Sequence, residues 1–448
     1  MSYLHKTGRV AVDGSRKEQT MSGFGVNINS KYWADGKLLP VMELLVNDLG
    51  ARLYRVDVYG RSDWIDETGA LGKEKALTAE NLEAVYGNGA SQSGWAMMRY
   101  LNENGIEPYV TCSGIVPAWM LGDDGVTLTD YESFTEMLIS FIDRARNREE
   151  IRFSLFGPLN ETDIGAPEGP TVSPEGYVEI CATLDRKLKD RGWDDIKLVV
   201  AEQAIFNADY IKAFAERDDL ADRIGVFGMH MYGEIDKELF EQARAAVRGP
   251  YKGKPLWMTE YGDLDQTGEK EWYVAWKSAE RAMSFIQAGF NGGLQWDACD
   301  NYHDHDGAWT IYGLIRYARF VFTPKKRYYG AKQIYRFVRP GFIKVAADCN
   351  RDDVQIAAFV SPDEKEMTVV GMNHALSPCE FAVSFKNLPH ILEKPVLRLY
   401  TTTAQDNCVK QPDLTFYCAY GGTDSKKLDF VRLCAPAESI FTLTSIAD

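Results

Sequence analysis

No segment of this 448-residue chain reaches the roughly 18 consecutive apolar residues that a membrane-spanning helix needs. That shortage excludes a helical span, and with it a membrane partner of that kind. Eight cysteines are present, but none stands in a CxxC pair, so zinc-type spacing and dithiol redox chemistry are missing. Positive charge is scarce as well: 50 Lys and Arg face 65 Asp and Glu, for a net charge of −15. Phosphate recognition needs clustered cations, so this balance argues against a nucleic-acid partner. The opening Met1-Ser-Tyr-Leu-His-Lys-Thr-Gly-Arg9 has no apolar run of signal-peptide length. Together with the unpaired cysteines, of which Cys112 and Cys299 fall in predicted strands, this predicts a reduced, cytoplasmic protein. Low-complexity tracts are absent, and nothing in the pattern specifies an oligomer.

What is present is an alternation of apolar runs with amphipathic segments. The runs Gly23–Asn29, Arg52–Tyr59, Pro108–Ser113, Arg152–Asn160, Ile196–Glu202, Gly225–Tyr232, Pro255–Tyr261 and Gly293–Asp297 read as strands. Between them, Tyr131, Phe134, Met137, Leu138, Phe141 and Ile142 recur at helical steps, and Thr129-x-x-Glu132 ahead of them reads as a capping box. Ser173-Pro174 opens a further helix, with serine as N-cap and proline in the first turn. Successive β-then-α units with right-handed crossovers close into a (β/α)8 barrel. After Pro340 the pattern changes to short β-type runs separated by Asp, Asn, Pro, Gly and Ser clusters. The predicted organisation is an α/β TIM barrel over 21–340 with an appended antiparallel β-sandwich over 341–448. Residues 1–20 supply a strand, around Arg9-Val-Ala-Val-Asp-Gly14, that joins the sandwich.

Catalytic groups of such barrels sit at the C-terminal strand ends. Two predicted strands end in a glutamate: the fourth at Asn160-Glu161 and the seventh at Thr259-Glu260-Tyr261. Two carboxylates facing one cleft can cleave a glycosidic bond, one donating a proton and the other attacking the sugar. Glu161 is then the acid/base, which must carry a proton near neutral pH, and Glu260 the ionised nucleophile. Asn160 can hold a sugar hydroxyl beside the scissile bond. Arg55, in Leu53-Tyr-Arg-Val-Asp57, offers a fixed charge to orient Glu260, with an ion pair to Asp57 as the structural alternative. His230 and Tyr232 of the sixth strand are further hydrogen-bond candidates. Trp119, in Val116-Pro-Ala-Trp-Met120, and Trp296 are candidate sugar platforms, in a chain whose composition is 12% aromatic. Asp297 begins an acidic, histidine-bearing loop that continues through Asp300, His303, His305 and Asp306. Its spacing fits neither an EF-hand nor a zinc signature, so it reads as a polar substrate loop rather than a metal site. No metal and no cofactor is expected.

The chain resembles clan A glycoside hydrolases, and family 30 in particular, nearly end to end. The resemblance rests on Val10-x-Val-Asp-Gly-Ser…Gln19-Thr-Met-Ser-Gly-Phe-Gly25, Pro117-Ala-Trp-Met120, Asn160-Glu161, Glu260, Arg327-Tyr-Tyr-Gly…Arg339-Pro-Gly341 and Pro436-Ala-Glu-Ser-Ile-Phe-Thr-Leu443. It implies a barrel with a side β-domain and a retaining double displacement on β-linked glycosides. Thr162 stands where that family often has proline, and family 39, with xylosidase or arabinosidase activity, is the neighbouring resemblance. The expectation is a retaining hydrolase of neutral β-linked glycosides or oligosaccharides, acting from the chain end on small substrates. The alternatives are a catalytically silent carbohydrate-binding barrel and a metal-dependent barrel enzyme using the 297–306 cluster.

Overall fold

The computed structural model describes residues 7–58, 72–264, 271–301, 312–318, 321–421 and 426–447. After β1 (Gly8–Thr20), eight strands form a closed parallel barrel: β2 (Gly23–Asn29), β3 (Leu53–Val58), β4 (Tyr109–Cys112), β5 (Leu155–Gly157), β6 (Lys197–Val200), β7 (Ile224–Met231), β8 (Leu256–Tyr261) and β9 (Gly292–Gln295). Each predicted barrel run overlaps one of them, with β7 and β9 beginning one residue earlier than expected. The fourth run is the most shortened, because beyond Gly157 the chain carries Pro158, which cannot donate to a ladder. Seven parallel pairings and the closing β2–β9 pair leave the barrel without a free edge.

Helix Tyr131–Asp143 buries Phe134, Met137, Leu138, Phe141 and Ile142, the residues whose spacing marked it. Its cap differs from the expected box: Asp130, not Thr129, accepts the Ser133 N–H at 3.0 Å. Asp130 stands one residue closer to the helix, where its short carboxylate reaches that free N–H. Ser173 caps helix Pro174–Asp190 as expected, accepting the Gly176 N–H at 3.1 Å.

Beyond the barrel mouth, β10 (Cys299–Asn301), β11 (Ile315–Ala318) and β12 (Val321–Pro324) make a small sheet. The side domain comes next, with β13 (Ile343–Cys349), β14 (Val354–Val360), β15 (Met367–Asn373), β16 (Cys379–Lys386), β17 (Arg398–Thr402), β18 (Val409–Lys410), β19 (Tyr417–Gly421), β20 (Lys426–Ala435) and β21 (Ser439–Thr444). These strands and β1 form one 10-stranded sheet, ordered β18-β17-β21-β15-β14-β13-β1-β16-β20-β19. The sheet curls over a shared core, bringing Phe381 of β16 within 6.2 Å (ring centroids) of Phe441 on β21. It is mixed rather than wholly antiparallel, because β1 runs parallel to β16 and antiparallel to β13. Strands β15 and β21 are buried along their whole length. One face of each meets the side-domain core and the other packs on the barrel. Polar ties at this contact include Thr442 Oγ1 donating to the Gln333 carbonyl at 2.6 Å and Gln333 Nε2 donating to Thr402 Oγ1 at 2.8 Å. No helix among the described residues is long and apolar enough to cross a membrane.

Candidate active site

The C-terminal ends of the barrel strands surround a cavity of about 690 Å³. Asn27, Arg55, Asp57, Asn160, Glu161, Glu168, Tyr232, Glu260, Trp296 and Asp297 contribute to its wall. Glu161 follows β5, the fourth barrel strand, and Glu260 lies in β8, the seventh. A carboxylate oxygen of each and a ring nitrogen of His230 all lie within 4.8 Å of one another.

Arg55 organises the floor. Its side chain is 1% exposed. One terminal nitrogen donates to Glu260 Oε1 at 2.5 Å and Asn27 Oδ1 at 3.0 Å, and the other to Asn160 Oδ1 at 2.6 Å. Its Nε lies 3.5 Å from Glu202 Oε1. The carboxylates paired with Arg55 are thus Glu260 and Glu202; Asp57, the alternative partner, accepts from the Ser113 hydroxyl. Because guanidinium only donates, Asn160 must present its carbonyl oxygen to Arg55, which turns its NH2 group into a donor for a ligand. The Tyr232 hydroxyl donates to Glu260 Oε2. Burial, and then the Glu260 charge, raise the Tyr232 phenol well above its ordinary range, so it remains a donor.

His230 stands behind both glutamates. Its Nδ1 is 2.8 Å from Glu161 Oε1 and 3.7 Å from Glu260 Oε2, while its Nε2 is 3.8 Å from Glu202 Oε1. Burial alone would lower its pKa, but Glu260, Glu161 and Glu202 outweigh burial and push it up to about 10. The raised value favours the imidazolium at neutral pH; Nδ1 then donates to Glu161, while Nε2 faces Glu202 beyond hydrogen-bond distance. Glu202, also fully buried, would be raised by burial; Arg55 and His230 hold it below the ordinary carboxylate range instead. It also accepts from the Tyr109 hydroxyl. Space for Glu202 inside the barrel comes from Gly228 on β7. A Cβ there would stand 2.7 Å from Glu202 Cγ and 2.8 Å from Thr259 Oγ1.

The His230 pKa sets a pH prediction. The folded value, about 10, lies above the ordinary 6.5. Stability from the charged ring is therefore complete below about pH 6.5 and is lost as pH rises through about 10. Thermal midpoints of wild type and His230→Gln, compared across pH 6 to 10, should differ most at the acid end. A gap that widens with pH would contradict a buried imidazolium.

The backbone at Glu161 is unusual, with φ +43° for a non-glycine residue, and its N–H donates to the Glu202 carbonyl at 2.8 Å. Left-handed backbone at such a residue costs of order 1–3 kcal/mol, and it persists only where the surroundings fix it. Here the fixing bond joins the ends of the fourth and fifth barrel strands. The peptide between Trp296 and Asp297 is cis, and both residues line the cavity after β9. Asp297 is tied down by the Leu314 N–H, which donates to its carbonyl at 2.9 Å.

The structure thus brings Glu161, Glu260, Asn160, Arg55, Tyr232, Trp296 and Asp297 to one cavity, with His230 directly beneath it. Trp119 departs from the expected platform. It lies in the turn Ala118–Met120, half-buried against the barrel core, and does not join the cavity lining among the described residues. The turn after Pro117 folds the indole onto apolar neighbours, where its large surface is removed from water. His303, Asp304, His305 and Asp306 lie outside the described residues. Sequence reasoning missed Glu202, although Ala201-Glu202-Gln203 ends the fifth run much as Asn160-Glu161 ends the fourth. It also missed Glu168, for which no spacing signal exists. The trio Glu161, His230 and Glu260 has metal-ligand atom types at close range. A cation there would have to displace the imidazolium proton and sit beside Arg55, so the charge pattern opposes it.

The fold, a closed (β/α)8 barrel with a curled β-domain on its flank, is similar to solved structures of family 30 glycoside hydrolases and of a family 39 enzyme. The glycoside hydrolase family 30 subfamily 8 xylanase Xyn30A of Clostridium acetobutylicum superposes with a TM-score of 0.71 at 18% identity, covering 98% of this chain and 100% of that one. The catalytic domain of GH30 xylanase C from Talaromyces cellulolyticus gives 0.72 at 17% identity, with 98% and 100% covered. A GH39 enzyme from Xanthomonas axonopodis pv. citri gives 0.63 at 14% identity, with 99% and 98% covered. The resemblance read from the sequence therefore holds in three dimensions at the level of fold. No protein-family model matches the chain, and no curated protein matches it.

Proposed function

We propose that this protein is a retaining glycoside hydrolase acting on neutral β-linked glycosides or oligosaccharides. The observation that carries this reading is the approach of Glu161 and Glu260, whose nearest carboxylate oxygens lie within 4.8 Å across one cavity. Retaining sites hold their carboxyl groups about 5–5.5 Å apart, whereas inverting sites need about 6.5–9.5 Å to admit a water. So close an approach of the nearest oxygens supports the retaining arrangement.

In the first half-reaction Glu260 attacks the anomeric carbon while Glu161 passes to the departing oxygen the proton it shares with His230 Nδ1, 2.8 Å away. The C1–O bond breaks as the ester bond to Glu260 forms. Arg55 and Tyr232 hold the two oxygens of Glu260, leaving the carboxylate oriented before attack. In the second half-reaction Glu161 takes a proton from water, which attacks the same carbon and releases Glu260. The Asn160 amide, fixed by Arg55, supplies a donor to a sugar hydroxyl next to the reacting centre. The family 30 and family 39 neighbours agree with this assignment as an analogy of fold.

The test is the anomeric form of the first product. With a panel of aryl β-glycosides, proton NMR should show the β-hemiacetal appearing first and mutarotating later. An α-anomer as the initial product would replace double displacement with single displacement. Full activity after exhaustive chelation is the matching expectation for a mechanism without a metal.

A further inference from the structure

The double displacement uses two carboxyl groups, yet a third one on the same loop returns to the cavity. The segment from Glu161 to Glu168 leaves the cavity at the acid/base and re-enters its wall at Pro167 and Glu168. This short excursion is held at several points. The Ile164 N–H donates to the Glu161 carbonyl at 3.3 Å, and the Val172 N–H to the Thr162 carbonyl at 3.2 Å. The Asp163 carboxylate accepts the Ala204 and Ile205 N–H groups, each at 2.9 Å, which ties the loop to the connection after β6. Glu168 itself is fixed through both backbone groups: its N–H donates to the Gly165 carbonyl at 3.1 Å, and its carbonyl accepts the Gly114 N–H at 2.8 Å. A side chain on so constrained a backbone has a defined place in the cavity wall.

Glu161 protonates the oxygen that departs, so the leaving group must lie on the Glu161 side of the cavity. Glu168 shares that loop and that cavity. Resting on the glycosidase reading above, we propose that Glu168 is a specificity-determining residue of the leaving-group subsite, hydrogen-bonding a hydroxyl of the sugar unit that departs. Burial, and then repulsion from Glu161, Glu260 and Asp57, raise its carboxyl to about 7. Near neutrality such a group can either donate to a sugar hydroxyl or accept from one. The substrate class this selects is a β-linked di- or oligosaccharide, whose departing unit carries hydroxyls, rather than a glycoside with a bare apolar aglycone.

The test compares Glu168→Ala and Glu168→Gln on two substrates with the same glycone: a β-linked disaccharide and an aryl β-glycoside whose leaving group has no sugar hydroxyls. Glu168→Ala should lower kcat/KM for the disaccharide at least about tenfold more than for the aryl glycoside, mainly through KM. Glu168→Gln, which keeps a hydrogen-bonding group of the same size, should retain more disaccharide activity than Glu168→Ala. Equal losses on both substrates would assign Glu168 a general electrostatic or structural role and overturn the proposal, and so would no loss on either. Absence of turnover of any glycoside by the wild type would remove the glycosidase reading together with this one. Turnover with equal losses would remove the role of Glu168 alone.

Discussion

Glu260→Gln should lower kcat on an aryl β-glycoside by at least about a thousandfold while leaving the fold intact. The scale reflects the loss of the nucleophile of a covalent mechanism, where the remaining groups can still bind and orient but cannot form the intermediate. Glutamine keeps the size of the side chain; its one carbonyl oxygen can accept from Arg55, and its NH2 then faces the Tyr232 hydroxyl, whose oxygen can accept. Arg55 retains Glu202 as an anionic neighbour at 3.5 Å, so the substitution does not strand a buried cation. A 2-fluoro glycoside should label the wild type on the peptide containing Glu260 and leave the variant unlabelled. Label on another carboxylate, or a variant with undiminished turnover, would show that Glu260 does not attack the sugar.

Arg55→Met should be the most damaging change to the floor of the cavity, in stability as well as in rate. Arg55 neutralises part of a buried cluster in which Glu260 and Glu202 both face inward, with side chains 6% and 0% exposed. Removing the cation leaves those two buried carboxylates to repel each other. Breaking a buried ion pair from one side costs about 3–5 kcal/mol, because the remaining charge has lost its partner. Asn160 and Asn27 also lose the donor that sets their orientation. Calorimetry should show a thermal midpoint lowered by several degrees, and kcat should fall at least about a hundredfold. A variant with wild-type stability would mean that His230 alone balances the cluster.

The parts legible in the sequence were those that local chemistry dictates. Barrel strands are buried on both faces, so each leaves a near-continuous apolar run whatever its neighbours are. Glu161 and Glu260 stood out because a carboxylate at the end of such a run has no packing reason to be there. The same test applied to Glu202 would have flagged it, but its role depends on the direction of Arg55, His230 and Tyr109 from three other strands, which no local pattern records. Trp119 shows the opposite case: it stands apart from the cavity lining among the described residues. A tryptophan next to a proline-fixed turn has the composition of a platform, while its burial is settled by tertiary packing. Strand β13 was missed as a separate element. Its run, Ile343-Lys-Val-Ala-Ala-Asp-Cys349, mixes charge with apolar residues because both of its edges are paired and only one face is deeply buried. The parallel pairing of β1 with β16 was beyond local reading altogether, since it joins Val10 to Val383.

That pairing has a consequence for anyone who would divide the molecule. The chain enters the side sheet before it builds the barrel, so the first strand is a seam between β13 and β16 rather than a mere lead-in to β2. Cutting after Pro340 would strip both neighbours from β1 and leave Val10 and Val12, now 2% and 0% exposed, facing solvent. The barrel and its flank are laced together at the outset, and separating them takes two incisions, not one.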